Sequence, residues 1–306
     1  MLQNFMTVGM QVLILFILMG IGIIGNRTGL IPSNAISGMT NLVLYFVTPC
    51  VIINSFQRES TPELINGLLI TAAAAFLIHL ISIIIVNLIL HDKDEAKEKV
   101  FRFSAIFSNC GFMSLPIQES LLGSIGVFYG SVFVAVFNLF VWTYGLVMMS
   151  GDKKALSIKK IVFNPGIIGT LLGTLIFAFG IKLPVLISAP VGYMAALNTP
   201  LPMIIIGYYL GNLRVEHLKT NLKQYYAIFL RLIVLPLIAV IGLKLFRIDT
   251  TISIVCTVAS CAPTAAITAM FATRFKRDAQ LAAQMVSVST LFSIITIPLM
   301  VALVQL

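Results

Sequence analysis

The chain of 306 residues is 59% hydrophobic and 10% charged, with 20 Lys and Arg against 11 Asp and Glu and a formal net charge of +9. Soluble domains carry roughly one-quarter charged residues, so this composition, with a mean hydropathy of +1.03, excludes a soluble enzyme or binding domain and describes an integral membrane protein. The basic residues are scattered over short loops without interleaved aromatics, which excludes a nucleic-acid face and predicts no nucleic-acid partner.

Uncharged apolar runs recur from end to end, each long enough to cross about 30 Å of hydrocarbon as a helix. In chain order they predict ten spans, over 7–25, 34–55, 63–90, 99–121, 125–149, 162–180, 190–211, 223–246, 251–273 and 279–304. No Lys or Arg precedes Arg27, and the run from Val8 to Gly25 is too long for a signal-peptide core, so it reads as the first span. Cys50, Cys110, Cys256 and Cys261 all lie in apolar segments, which argues against a disulfide framework.

Polar punctuation within the spans is sparse and therefore informative. Span two holds Thr48-Pro49, span three His79, span four the run SNCGFMSLP (108–116) followed by Glu119, and span six Gly169 and Gly173. Span seven holds Thr199-Pro200 with Pro202, span eight Arg231, and span nine ASCAPTAAIT (259–268) with Pro263.

Counting Lys and Arg on alternate sides of the ten spans gives 15 on one side and 4 on the other, with Arg231 inside a span. The heavy side collects Arg27 and the basic groups of loops 91–102, 153–160, 214–223 and 274–277; the light side has Arg58, Lys182, Lys244 and Arg247. The positive-inside rule then places the basic loops in the cytoplasm and both termini outside the inner (plasma) membrane.

The two halves also correspond. An offset of 151 residues relates Gly22 to Gly173, Thr48-Pro49 to Thr199-Pro200 and Cys110 to Cys261, each pair in matching spans of a five-plus-five arrangement. An odd number of spans per repeat inverts the second repeat, which predicts a first unit over 1–150 and a second over 151–306. Inverted repeats with interrupted helices in matching positions point to a secondary transporter with its site near the midplane.

Spans four and nine are the interrupted pair. Proline removes a backbone donor and clashes with the preceding turn, and glycine lowers the cost of unwinding. Broken backbone at membrane depth survives only where protein buries it or a cavity bathes it. Half-helix N-termini there suit an anion, with Ser108, Asn109, Cys110, Gly111, Ser114 and Pro116 from span four around it. Ser260, Cys261, Pro263 and Thr264 are the contribution of span nine. For either span alone a simple proline kink is the plainer account; the matched pair, flanked by Asn and Ser, favours a site.

The remaining candidates have two readings each. Arg231 sits about 10 Å along its helix from the cytoplasmic end at 1.5 Å per residue, where it pairs with a substrate carboxylate or snorkels to the interface. His79 serves a proton relay or is a packed histidine hydrogen-bonded between helices; Glu119 is an interfacial carboxylate or a proton site. Thr48 and Thr199 repair carbonyls freed by Pro49 and Pro200, or face the site. Gly169 and Gly173 permit close helix approach within the chain or in a dimer.

The FSNCGFMSLP segment, the SCAPTAA segment, the Thr-Pro pairs and the ten-span layout resemble the auxin efflux carrier family, which includes bacterial malate and malonate permeases and plant auxin exporters. The resemblance covers essentially the whole chain. It implies an all-α fold similar to bile acid/sodium symporters, with spans 1, 2, 6 and 7 as a scaffold that often dimerises and spans 3–5 and 8–10 as a transport domain. Helices four and nine would cross there, marked by Asn109, Pro116 and Pro263. The long cytoplasmic loop of many plant members is absent.

The chain has no H-E-x-x-H, G-x-S-x-G or Walker motif, so no enzyme chemistry, metal or cofactor is expected. The sequence reading is a secondary transporter of small, malate-like mono- or dicarboxylates in the lipid bilayer, and the resemblance implies elevator-like alternating access and a homodimer through the scaffold. Na+ and H+ both stand as coupling ions. The competing readings are a membrane sensor that binds without translocating and a carrier of another anionic or auxin-like substrate.

Overall fold

The computed structural model describes residues 2–152, 154, 156, 163–212 and 222–306. Lys153, Lys159, Lys160, Arg214 and Lys219 of the basic loops lie outside them. The described residues form helices and short turns, with no strand beyond one isolated antiparallel bridge between Ser108 and Thr264.

The helices are α1 (Leu2–Arg27), α2 (Ser33–Ser55), α3 (Pro62–Ile89), α4 (Glu95–Ile106), α5 (Leu115–Leu122) and α6 (Ser124–Ser150). They continue with α7 (Pro165–Ala178), α8 (Val185–Gly211), α9 (Leu222–Leu245), α10 (Thr250–Cys261), α11 (Ile267–Arg274) and α12 (Ala279–Val304). Seven of these are long and apolar enough to cross a membrane, and α7 and α10 are shorter apolar helices. The molecule is thus an all-α, multi-pass membrane protein.

Helix starts follow local chemistry. Thr61, Asp94, Asn164, Asp249 and Asp278 each accept a hydrogen bond from a first-turn amide, and Pro62 and Pro165 open their helices where a missing N–H costs nothing. Gly123 alone separates α5 from α6, at φ 65°, a conformation that a side chain disfavours.

Packing places α1 along α8, α7 on α2, α3 on α6, and α10 against α6, α9 and α12. Small residues set the first two contacts. A Cβ at Gly22 would fall on the Ile204 carbonyl oxygen, and one at Gly207 on that of Met19, so α1 and α8 touch backbone to backbone. Gly169 lies against Pro49, and Gly173 against Phe56, so this Gly pair serves a contact within the chain. Large apolar side chains such as Ile17, Leu88, Leu186 and Ile241 face outward, as lipid requires.

The loops sort into two ends. At one, Lys223 pairs with Asp92 at 2.7 Å, and Arg277 donates to the carbonyls of Met149 and Ser150 at 2.9 and 3.0 Å. Lys99 lies beside Gly151. Lys223, as hydrogen-bond donor, holds the Asp92 carboxyl below its ordinary range. At the other end Lys182 meets Glu59 at 3.2 Å and Arg58 donates to the Ser124 carbonyl at 2.8 Å. Basic residues of three of the loops, with Ser150 and Gly151 at the entrance to a fourth, therefore share one end, and Arg58 and Lys182 share the opposite one.

Candidate functional site

The centre of the site is a place where two helices stop and restart side by side. Helix α4 ends at Ile106; Phe107 and Ser108 run extended, and a π-helical turn over Cys110–Ser114 leads into α5. Helix α10 ends at Cys261, Ala262 is extended at φ −59°, ψ 149°, and α11 begins at Ile267. Pro116 follows the π-helical turn inside the restarted helix, as Pro49 follows one in α2, while Pro263 lies within the extended gap.

The two gaps satisfy each other's backbone. The Asn109 amide donates to the Pro263 carbonyl at 2.7 Å and the Ala265 amide to the Phe107 carbonyl at 2.9 Å. Side chains from neighbours complete the set: Thr264 Oγ1 donates to the Ser104 carbonyl at 3.0 Å, and the Thr264 amide to Ser289 Oγ at 3.1 Å. This is how broken backbone persists in a low-dielectric interior, where orphan amides cost several kcal/mol.

Some polar atoms are left over. Asn109 is 5% exposed and its Nδ2 has no hydrogen-bond partner; Ser104 Oγ, Gln118 Oε1, Thr257 Oγ1 and Thr268 Oγ1 are likewise buried and unpartnered. Gln118 Nε2 is engaged, donating to Ser114 Oγ at 2.8 Å and to the Val255 carbonyl at 2.9 Å, which ties α5 to α10. Ser260 Oγ and Cys261 Sγ turn back onto the carbonyls of Thr257 and Val258. Cys110 is buried, and a Cβ built at Gly111 would meet no atom within 4 Å, so there is open space beside the break.

Arg231 lies at the gap and does not snorkel. It is 3% exposed, and its Nη1 donates to the carbonyls of Ala105 at 3.1 Å and Ile106 at 2.8 Å, while Nη2 donates to that of Ser260. The guanidinium therefore joins the C-terminal ends of α4 and α10. Among the described residues, the buried set contains this one charged side chain and no carboxylate.

The other candidates lie farther off. His79 shares a small cavity with Arg231, Ser108 and Ser260, but its Nδ1–H donates to the Ala75 carbonyl at 2.7 Å and the rings of Phe107, Phe133, Phe137 and Phe140 surround it. Thr48 Oγ1 donates to the Val43 carbonyl at 3.0 Å across a π-helical turn just ahead of Pro49, which is backbone repair. Glu119 is exposed. It lines a cleft of about 170 Å³ with Asn54, Ser55, Asn198 and Thr199, between α5–α6 and the α2–α8 pair. Thr199 and Pro200 sit where α8 is interrupted at 197–199.

Ser104, Gln118, Asn198 and Ser289 were not among the sequence candidates. The run SVSTLFS at 287–293 carried a signal, because it concentrates buried hydroxyls in an apolar helix: Ser287, Ser289, Thr290 and Ser293 are all inside.

Comparison with known proteins identifies a membrane transport family. The model of the family described as membrane transport protein matches residues 7–301. An uncharacterized transporter of Methanocaldococcus jannaschii is 26% identical over 303 residues, covering 94% of this chain and 96% of its own. An uncharacterized transporter of Methanothermobacter thermautotrophicus is 25% identical over 294 residues, covering 94% and 95%. With paired helix breaks at its centre and a family match along nearly its whole length, the chain belongs to the auxin efflux carrier-like membrane transport protein family.

Proposed function

We propose that this transporter carries small organic anions of the malate-like mono- and dicarboxylate class, as a secondary transporter. The observation that carries the reading is the buried, unpartnered Nδ2 of Asn109 at the meeting point of two broken helices. An amide donor without a partner in the interior is a cost that a bound acceptor would relieve. The charge balance is compatible with this, since among the described residues the buried set holds no carboxylate that would repel an anion. The restarting helices α5 and α11 present N-termini, whose partial positive charge favours an anion.

In this reading the segments 95–122 and 250–274 each cross the membrane once despite their breaks, and with Pro165–Ala178 they bring the crossings to ten. The units 1–150 and 151–306 are inverted repeats. The α1–α8 and α2–α7 contacts belong to a scaffold that dimerises, and α3–α6 with α9–α12 move against it in an elevator-like step. The cleft lined by Glu119, Asn198 and Thr199 is where substrate would pass between the two sets.

The test is uptake of labelled malate and a panel of carboxylates into proteoliposomes, with imposed Na+ or H+ gradients and empty vesicles as control. Saturable uptake that competes within the panel is expected, and Asn109→Ala should abolish it while the variant remains monodisperse in detergent. Uptake unchanged by Asn109→Ala would remove the broken-helix site. Specific binding without flux would make the protein a sensor.

A further inference from the structure

A cation held between two helix C-termini has an electrostatic meaning that follows from its partners. The C-terminus of an α-helix carries roughly half a negative elementary charge. Here two such ends, of α4 at Ala105 and Ile106 and of α10 at Ser260, face one guanidinium. Two half charges and one full positive charge balance to about zero. Without Arg231 the same carbonyls would converge on a buried, uncompensated negative region. Backbone carbonyls of unwound helices are the groups that coordinate Na+ in membrane carriers, so such a region would call for a mobile cation.

We propose that Arg231 is a tethered counter-ion: it occupies the place that a monovalent cation would otherwise fill, and it makes the central site competent for an anion without bound Na+ or K+. The proposal rests on the anion-transport reading and adds its ion requirement. A guanidinium suits the place, since one Nη spans two carbonyls of α4 while the other reaches α10, but the counter-ion role needs only a tethered positive charge, which an ammonium also supplies. Because the cation is covalently attached, it cannot be released on one side of the membrane. Coupling, where present, must then come from another ion or from the substrate's own proton.

The experiment measures thermal unfolding of the detergent-purified full chain in choline chloride, NaCl, KCl and LiCl at matched ionic strength. The wild type is expected to unfold at the same temperature in all four. Arg231→Gln should unfold several degrees lower in choline and recover part of that loss in NaCl or LiCl, whereas Arg231→Lys should be cation-insensitive like the wild type. A rise specific to Na+, Li+ or K+ in the wild type would overturn the proposal, as would an Arg231→Gln protein equal to the wild type in choline. If the Gln variant yields no folded protein, the other two proteins decide. Insensitivity of both supports the tethered cation, and an alkali-metal response in either overturns it. These readouts need no substrate, so an absence of carboxylate flux would defeat the transport reading separately.

Discussion

At the residue scale, the same side-chain type means different things according to what its polar atoms already hold. Asn109 has an amide donor with nothing to bond, so truncation to Ala removes no hydrogen bond made by Nδ2 and should leave the fold intact. A hydrogen bond to a charged acceptor is worth about 1.5–3 kcal/mol, which predicts a loss of roughly 10- to 100-fold in apparent substrate affinity, so that uptake is expected to vanish at substrate concentrations near the wild-type KM. His79 is the contrasting case. Its Nδ1–H is spent on its own helix at the Ala75 carbonyl, and Phe140 stacks on it at 5.2 Å with an interplanar angle of 9°. A bond to the carbonyl four residues back in its own helix and an aromatic cage describe a packed ring, so His79→Phe should retain uptake with an unchanged pH profile. Uptake measured from acid to neutral pH checks this, and a flattened profile in the variant would make His79 a proton carrier.

At the element scale, what the sequence disclosed was where helices cannot continue. Gly111 and Pro116 in one segment and Pro263 in the other announce interruption because each changes what the backbone can do locally. The interruptions were therefore legible, as was the repair of the Pro49 turn by Thr48. The partners of the interruptions were not. That Arg231 would join Ala105, Ile106 and Ser260, or that Gln118 would reach Val255, depends on contacts across more than 25 residues of sequence that no local pattern encodes. Gly22 and Gly173 looked alike as members of an offset pair, yet Gly22 packs on α8 through Ile204 and Gly173 on α2 through Phe56. The α1–α8 contact gives the sharpest element-level test. Gly207→Leu must push the helices apart, because even a Cβ there collides with the Met19 carbonyl. Backbone cannot swing aside as a side chain can, so the loss should be at least the roughly 1–3 kcal/mol of ordinary overpacking. A lowered melting temperature or aggregation on size-exclusion chromatography is expected, and wild-type behaviour would mean that α1 is free to shift.

At the scale of the whole molecule, two independent lines group the loops in the same way. Alternation of predicted spans puts His91–Lys99, Lys223 and Arg277 on one side and Arg58 and Lys182 on the other, and the folded chain joins Asp92 to Lys223, brings Lys99 beside Gly151, and sets Glu59 against Lys182 at the opposite end. The ion pairs say which loops share a side, but only charge says which side that is, because Lys and Arg resist translocation. The expectation is that the basic end is cytoplasmic. Lys154 and Lys182 are both exposed and lie at opposite ends, so single cysteines placed there report the orientation. The native cysteines Cys110, Cys256 and Cys261 are buried, leaving Cys50 as the one to replace by Ser beforehand. A membrane-impermeant maleimide applied to intact cells should label Lys182→Cys and spare Lys154→Cys, and inside-out vesicles should reverse the pattern. The reverse result in cells would place the cleft at Glu119 on the cytoplasmic face, and the direction in which substrate enters it would change accordingly.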